Sequence, residues 1–249
     1  NLLRGLGRHE EAFRSLEKFN EEYSSPYVLA TLADWQMSMY NDSTAIAYYN
    51  EALDLAPDYT PAILGKAEAY RMTRKYDEYF KELDAFVASG DIPAPAKSDY
   101  LMAVVQRTEP NFIQTFIPKF DAVMDTMARI HPNDSTVLQT AGIYYYSTQR
   151  NGEAKEYFSR NAEAWPQSLS AAATYVEFLM YADEWEDLSR EGRKAFERFP
   201  TEMSFLEMAS MGDYSLERYE DVLDICETVL EVAPADSSAT LRAWSTIGD

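Results

Sequence analysis

The sequence has little cysteine, no long apolar run and comparatively little positive charge. Cys226 is the single cysteine among 249 residues, so no disulfide can form within the chain and the redox compartment stays open. No stretch approaches the ~18 uninterrupted apolar residues that a membrane helix needs. Even the most apolar stretch, residues 169–182, is broken by polar side chains. These absences exclude an internal disulfide framework and a membrane-spanning segment.

Positive charge is outnumbered almost two to one. The sequence carries 22 lysines and arginines against 42 acidic residues, which gives a formal net charge of −20. So strong an excess repels the phosphates of nucleic acids and of anionic lipids, and nucleic acid is therefore not an expected partner. Two interpretations of the excess stay open. It keeps a long surface soluble, or it attracts a basic peptide or a cationic protein face.

What the sequence does contain is a repeat. Pro132, Pro166, Pro200 and Pro234 lie 34 residues apart. Between these prolines, apolar residues recur at the three- and four-residue spacing of amphipathic helices, separated by short polar breaks. An even period of this length predicts stacked pairs of antiparallel helices, not a single closed core.

The stretch from Ser135 to Pro166 resembles the tetratricopeptide repeat, whose signature is W-x2-L-G-x2-Y, then A-x3-F, then P within 34 residues. Leu138 stands where the family prefers tryptophan. The positions that match are Gly142, Tyr145, Ala154, Phe158 and Pro166. The resemblance implies an all-α fold, a right-handed α-α superhelical solenoid of antiparallel helix pairs. About seven hairpins with incomplete ends are expected, forming a single domain over residues 1–249.

The repeat is expected to be irregular in its middle and cut at its ends. Pro57 and Pro132 are 75 residues apart, seven more than two periods, which predicts an insertion within residues 88–118. The stretch 91–97 is either a tolerated insertion or a loop that makes specific contacts. Residues 1–6 resemble the remnant of a first helix, and residues 244–248 restate the opening of the signature.

Four predicted second helices share one start pattern. An aromatic residue or histidine is followed by two acids at residues 9–11, 76–78, 185–187 and 219–221. Acids in a first turn face the positive end of the helix dipole, so these pairs predict helix starts before any binding role.

The sequence contains no recognisable catalytic motif. His9 and His131 belong to no pair with metal-ligand spacing, and no metal or cofactor is expected. Acidic pairs are too abundant to single out a general acid and base. The prediction is that this chain is not an enzyme.

The resemblance also implies where a ligand would lie, because in this family the first helices line the concave face. The positions left after packing residues are removed form an acidic, tyrosine-rich set. Tyrosines suit contact with an extended peptide or a partner helix. The candidate binding residues are Tyr27, Asp34, Glu68, Arg71, Gln139, Tyr146, Glu177, Tyr181 and Glu207.

The sequence does not favour one class of ligand, an acidic C-terminal tail. The family members that hold the C-terminal tails of heat-shock chaperones clamp a carboxylate with Lys, Asn and Arg on adjacent first helices. Ala30, Asp34, Leu64 and Glu68 are among the residues at the matching places, so that clamp is absent and an acidic tail is not the expected ligand.

Three hypotheses follow. The leading one is a bacterial, non-catalytic scaffold that binds a peptide or partner protein in its concave groove. The second is an envelope lipoprotein subunit for outer-membrane assembly or nutrient uptake, because such proteins are built on the same repeats. The third is the recognition arm of a larger enzyme. Fold alone does not discriminate among them, and both a cytoplasmic and a periplasmic, lipid-anchored parent are compatible with the sequence.

Overall fold

A computed structural model describes residues 8–107, 110–232 and 237–248. Within these ranges the chain forms fifteen α-helices and no strand, as the all-α prediction requires. The helices are α1 (His9–Glu22), α2 (Pro26–Ser38), α3 (Asp42–Leu55), α4 (Thr60–Met72), α5 (Tyr76–Ala88), α6 (Ala94–Arg107), α7 (Pro110–Thr115), α8 (Ile117–Ile130), α9 (Ser135–Ser147), α10 (Asn151–Ala164), α11 (Leu169–Tyr181), α12 (Trp185–Arg198), α13 (Ser204–Ser215), α14 (Tyr219–Val232) and α15 (Ser237–Gly248).

The chain divides into two compact units. Helices α1–α8 belong to the N-terminal unit, residues 1–131, and helices α9–α15 to the C-terminal unit, residues 132–249. Within each unit, consecutive helices pack as antiparallel pairs: α2 with α3, α4 with α5, α9 with α10, α11 with α12, and α13 with α14. The organisation of residues 1–249 as one solenoid stays a prediction, and residues 1–6 lie outside the described ranges.

The predicted start pattern is confirmed at all four places. Helices α1, α5, α12 and α14 begin at His9, Tyr76, Trp185 and Tyr219, each with two acids in the first turn. Helix α9 begins differently, with the side chain of Asp134 accepting hydrogen bonds from the backbone N–H groups of the first turn.

Small residues let the paired helices approach closely. A Cβ atom added at Gly142 on α9 would lie 2.6 Å from the ring of Phe158 on α10. Gly65 on α4 is equally tight, because its missing Cβ would lie 2.5 Å from the ring of Tyr49 on α3. The space vacated by each glycine is thus filled by an aromatic ring of a neighbouring helix.

The predicted insertion divides between two places. Regular hairpins join their helices by three residues, whereas α6 and α8 are separated by nine residues that include the short helix α7. The linker between α5 and α6 is five residues long, one more than the linker between α3 and α4. Most of the extra length therefore lies beside α7, near the C-terminal end of the predicted region.

The prediction that residues 91–97 form a loop needs correction. Ala94–Lys97 form the first turn of α6, where Pro95 is tolerated because first-turn N–H groups have no helical partner. The Lys97 side chain is fully buried. Its Nζ donates to the backbone oxygen of Ser89 at 2.6 Å and lies 2.9 Å from Nε2 of His131. Lys97 therefore holds two linkers together and is not available to a partner.

Candidate functional site

Two of the candidate residues lie on α2 in the N-terminal unit and behave differently. Tyr27 is exposed, with 64% of its surface accessible. Asp34 accepts a hydrogen bond of 2.6 Å from the hydroxyl of Tyr49, whose ring is buried against α4. Burial and the neighbouring Asp34 carboxylate both raise the pKa of Tyr49 far above its ordinary value. Asp34 therefore has a packing role that the sequence did not reveal.

Glu68 and Arg71, the next two candidates, lie together on α4. Arg71 donates from Nε to one oxygen of Glu68 at 2.8 Å, and one of its Nη atoms forms an ion pair with the same oxygen at 2.7 Å. The other oxygen of Glu68 accepts from the hydroxyl of Tyr100 on α6, at 2.9 Å. The Glu68 carboxylate is thus engaged on both oxygens. Its hydrogen bond with Arg71 raises the pKa of that guanidinium, which stays charged.

Glu68 and Arg71 form part of the wall of a pocket of about 670 Å³, which we call the N-terminal pocket. This volume lies within the range of small-ligand sites. The walls come from α4, from the start of α5, from α6 and from the inserted α7. The lining residues are Glu68, Arg71, Tyr76, Tyr100, Ala103, Val104, Arg107 and Phe112.

Helix α7 is anchored so that it can form one wall of this pocket. Phe112 packs against Tyr76 and Phe116, with ring centroids 5.3 and 5.0 Å apart, and Phe80 packs against Phe116 and Phe120 at 5.5 and 5.0 Å. Aromatic contacts of this kind add stability beyond the area they bury. The short helix is therefore held by α5 and α8 through side chains, although it is too short to be stable alone.

The N-terminal pocket is locally cationic in a strongly acidic chain. Its lining contains one carboxylate and two guanidinium groups, those of Arg71 and Arg107. Arg107 is exposed, and no described residue forms a hydrogen bond or an ion pair with its side chain. Ala103, Val104 and the rings of Tyr76 and Phe112 supply apolar surface beside this charge. The arrangement suits a ligand that combines negative charge with an apolar group.

The remaining candidate residues lie in the C-terminal unit. Tyr146 on α9 packs edge-on against Phe178, at 5.6 Å between centroids, and keeps 39% of its surface exposed. Gln139 is half-buried on α9, while Glu177 and Tyr181 are exposed on α11. Glu207 accepts from Nε of Arg242 on α15 at 2.9 Å. The described structure does not gather these residues into one site, but Glu207 and Arg242 line a small pocket of about 240 Å³.

A second pocket of about 670 Å³ lies in the C-terminal unit between α13, α14 and α15. None of its lining side chains is charged, and its polar side-chain groups are the hydroxyls of serine, threonine and tyrosine. The lining residues are Ser210, Met211, Tyr214, Ser215, Tyr219, Val222, Leu223, Thr246 and Ile247. No candidate binding residue is among them.

Metal and membrane sites were sought over the same ranges. The described residues contain no group of three or more His, Cys, Asp and Glu side chains placed to hold a metal ion. Cys226 is buried in an apolar cluster with Val222, Ile225 and Val229, and burial raises the pKa of its thiol. No described helix has the length and apolar character needed to cross a bilayer.

Comparisons with known proteins support the fold. No protein-family model matches the sequence, and no curated protein matches it. The chain aligns with a solved structure of Naa15/Naa10 bound to HypK-THB at 12% identity and a TM-score of 0.52, covering 99% of this chain and 39% of that one. At this identity the likeness shows a shared helical-repeat fold and nothing about ligands.

Two shorter proteins align along most of their length. YrrB, a TPR protein with an unusual peptide-binding site, matches at 16% identity and a TM-score of 0.42, over 94% of this chain and 98% of YrrB. PilW, a type IV pilus biogenesis factor, matches at 17% identity and a TM-score of 0.45, over 87% of this chain and 97% of PilW. Together with the 34-residue hairpins of this chain, the likeness to the Naa15/Naa10 structure shows a tetratricopeptide-like helical-repeat fold.

Proposed function

We propose that the protein is a non-catalytic docking scaffold that binds a peptide segment of a partner protein, with the N-terminal pocket as its main contact site. The observation that carries the proposal is the pocket itself. It combines an apolar wall, two guanidinium groups and a carboxylate that is already neutralised by internal bonds. A surface of this composition fits one or two side chains of a peptide better than a flat protein face.

The candidate residues divide into two roles under this proposal. Arg71 can contact a ligand directly, and Glu68 positions Arg71 and Tyr100. Exposed Tyr27, Tyr146 and Tyr181 would extend the contact surface on their own units, because tyrosine gives broad amphipathic contact at a small entropic cost.

Selection from a random peptide library displayed on phage, followed by calorimetry of the enriched peptides, tests the proposal. Ala103 is half-buried and lines the pocket, so Ala103→Trp should fill the pocket without disturbing the core. The matched control is Ala122→Trp at an exposed position of α8, outside the pocket.

We expect enriched peptides to lose at least about tenfold in affinity with the pocket variant and to keep it with the control. Peptides that bind both variants equally would place the site elsewhere. A selection that enriches no peptide above an unrelated helical protein would reject the scaffold function for this chain.

A further inference from the structure

The charges that line the N-terminal pocket are not balanced by one another. Glu68 uses one oxygen for Arg71 and the other for Tyr100, so it has little capacity left for a cationic ligand. Arg71 leaves Nη1 without a partner among the described residues, and Arg107 has no partner there at all. Among the lining residues that the structure describes, the net charge is therefore about +1, and the unused donors are guanidinium N–H groups.

Guanidinium groups favour a carboxylate, because their planar N–H donors match its two oxygens. Next to these donors lie Ala103, Val104 and the ring of Phe112. A ligand that used the charge alone would leave this apolar surface in water, while a purely apolar ligand would strip water from the guanidinium groups without replacing it. The pocket is complementary to a carboxylate with an apolar side chain beside it.

We infer that the N-terminal pocket binds a peptide carboxylate, either a C-terminus or an Asp or Glu side chain, that adjoins an apolar or aromatic residue. This inference rests on the proposed function and narrows its ligand class. It runs against the overall charge of −20, which favours basic partners, because a contact inside a partly enclosed pocket is decided by neighbouring groups. The donors are Arg71 and Arg107, which lie outside the places of the chaperone-tail clamp.

Three synthetic peptides test the inference. The first is N-acetylated Gly-Ser-Gly-Leu-Phe with a free C-terminal carboxylate, and the second is the same peptide with a C-terminal amide. The third carries the carboxylate on a side chain, as N-acetylated Gly-Ser-Gly-Leu-Phe-Glu-Gly amide. Binding of each to the full chain is measured by calorimetry or by NMR titration, up to about 1 mM peptide, where weak single-pocket affinities are still detected.

Arg107→Gln is the informative variant, because this exposed side chain has no hydrogen bond or ion pair with another described residue that the change would remove. Arg129→Gln is its matched control: an exposed arginine in the same unit, on α8, that is also free of described partners and lies outside the pocket. Arg71→Gln is less suitable, since it would leave one oxygen of Glu68 unpaired.

The expected result is that at least one carboxylate peptide binds about tenfold more tightly than the amide, as charge-assisted hydrogen bonds require. Arg107→Gln should reduce this preference about fivefold, and Arg129→Gln should leave it unchanged. The first and third peptides then show whether the terminus or the side chain is preferred.

Equal affinity for the carboxylate and amide peptides overturns the inference, as does the same loss in both arginine variants. Failure of all three peptides to bind at about 1 mM also overturns it. None of these results decides the scaffold function, which depends on the library selection. That selection can still return neutral or basic peptides that are sensitive to Ala103→Trp.

Discussion

Replacing Gln149 with glycine should stabilise the hairpin of α9 and α10. Gln149 is the middle residue of the three-residue turn between the two helices, and its φ angle is 62°. This is the left-handed region, where the Cβ of an L-residue crowds its own backbone. The side chain is exposed, so glycine removes the crowding without removing a buried contact.

The size of the gain follows from two opposing effects. The left-handed conformation costs a non-glycine residue roughly 1 to 2 kcal/mol. Glycine in turn gives the unfolded chain more freedom, which costs about 0.4 to 1 kcal/mol. The expected net stabilisation is therefore about 0.5 to 1 kcal/mol.

Asp183 provides the control. It occupies the same place in the turn between α11 and α12, with φ of 56° and an exposed side chain. Aspartate tolerates this conformation because its short side chain can hydrogen-bond locally, so Asp183→Gly should change stability much less. Urea denaturation followed by circular dichroism compares the two variants, and amide hydrogen exchange shows whether the gain lies in α9 and α10. A loss of stability in Gln149→Gly, or an equal gain at both sites, would refute the reasoning.

Three further predictions concern packing and charge. Gly142→Ala should lower the free energy of unfolding by about 1 to 3 kcal/mol, because the new methyl group meets the ring of Phe158, and urea denaturation measures the loss. Tyr49→Phe should lower the free energy of unfolding by about 1 kcal/mol in the same assay, because it removes the hydrogen bond to Asp34. Burial lowers the pKa of Lys97 in the folded chain, so between that lowered value and its ordinary 10.5 the unfolded chain binds more protons and stability rises with pH. The thermal midpoint of wild type should therefore rise relative to that of Lys97→Met as the pH is raised from neutral toward 10.5. A midpoint difference that does not change with pH would contradict the lowered pKa of Lys97.

The regular part of the fold could be predicted because it is encoded locally. Helix boundaries follow from residues whose effect reaches only a few positions along the chain, such as the paired acids after Tyr76 and Trp185. Gly142 and Phe158 could be assigned to one helix contact for a similar reason, since the 34-residue signature fixes their separation. These features require no knowledge of how distant segments meet.

The pocket could not be predicted because it depends on the path of the irregular segment. Nothing in the local sequence indicates that the chain after Arg107 turns into a short helix that brings Phe112 beside Tyr76. Tyr100 and Arg107 carry no signature of the repeat, so the pattern gave no reason to select them. A long connection rich in phenylalanine was the available signal, since such a segment must bury its rings somewhere nearby.

Two candidate residues show that a position left after the packing residues are removed can still have a packing role. Removing the packing positions of each first helix leaves Asp34 and Glu68 as free acids, but both accept hydrogen bonds from tyrosines of other helices. A phenol that is buried for the sake of its ring still needs an acceptor for its hydroxyl. Where a repeat uses large tyrosines in its core, some of the acids nearby are engaged in holding them.

The same reasoning explains why the charge of the pocket departs from that of the chain. In a regular hairpin the three-residue turn brings the second helix directly against the first, and little space is left beside their ends. The connection between α6 and α8 is six residues longer than a regular turn, and it contains Phe112. Phe112 lines the N-terminal pocket together with residues of α4. Glu68 cannot neutralise the guanidinium groups of both Arg71 and Arg107. The described lining is therefore positively charged, although the chain as a whole is acidic. We therefore expect the place where the 34-residue period is broken to be where this chain recognises a specific ligand.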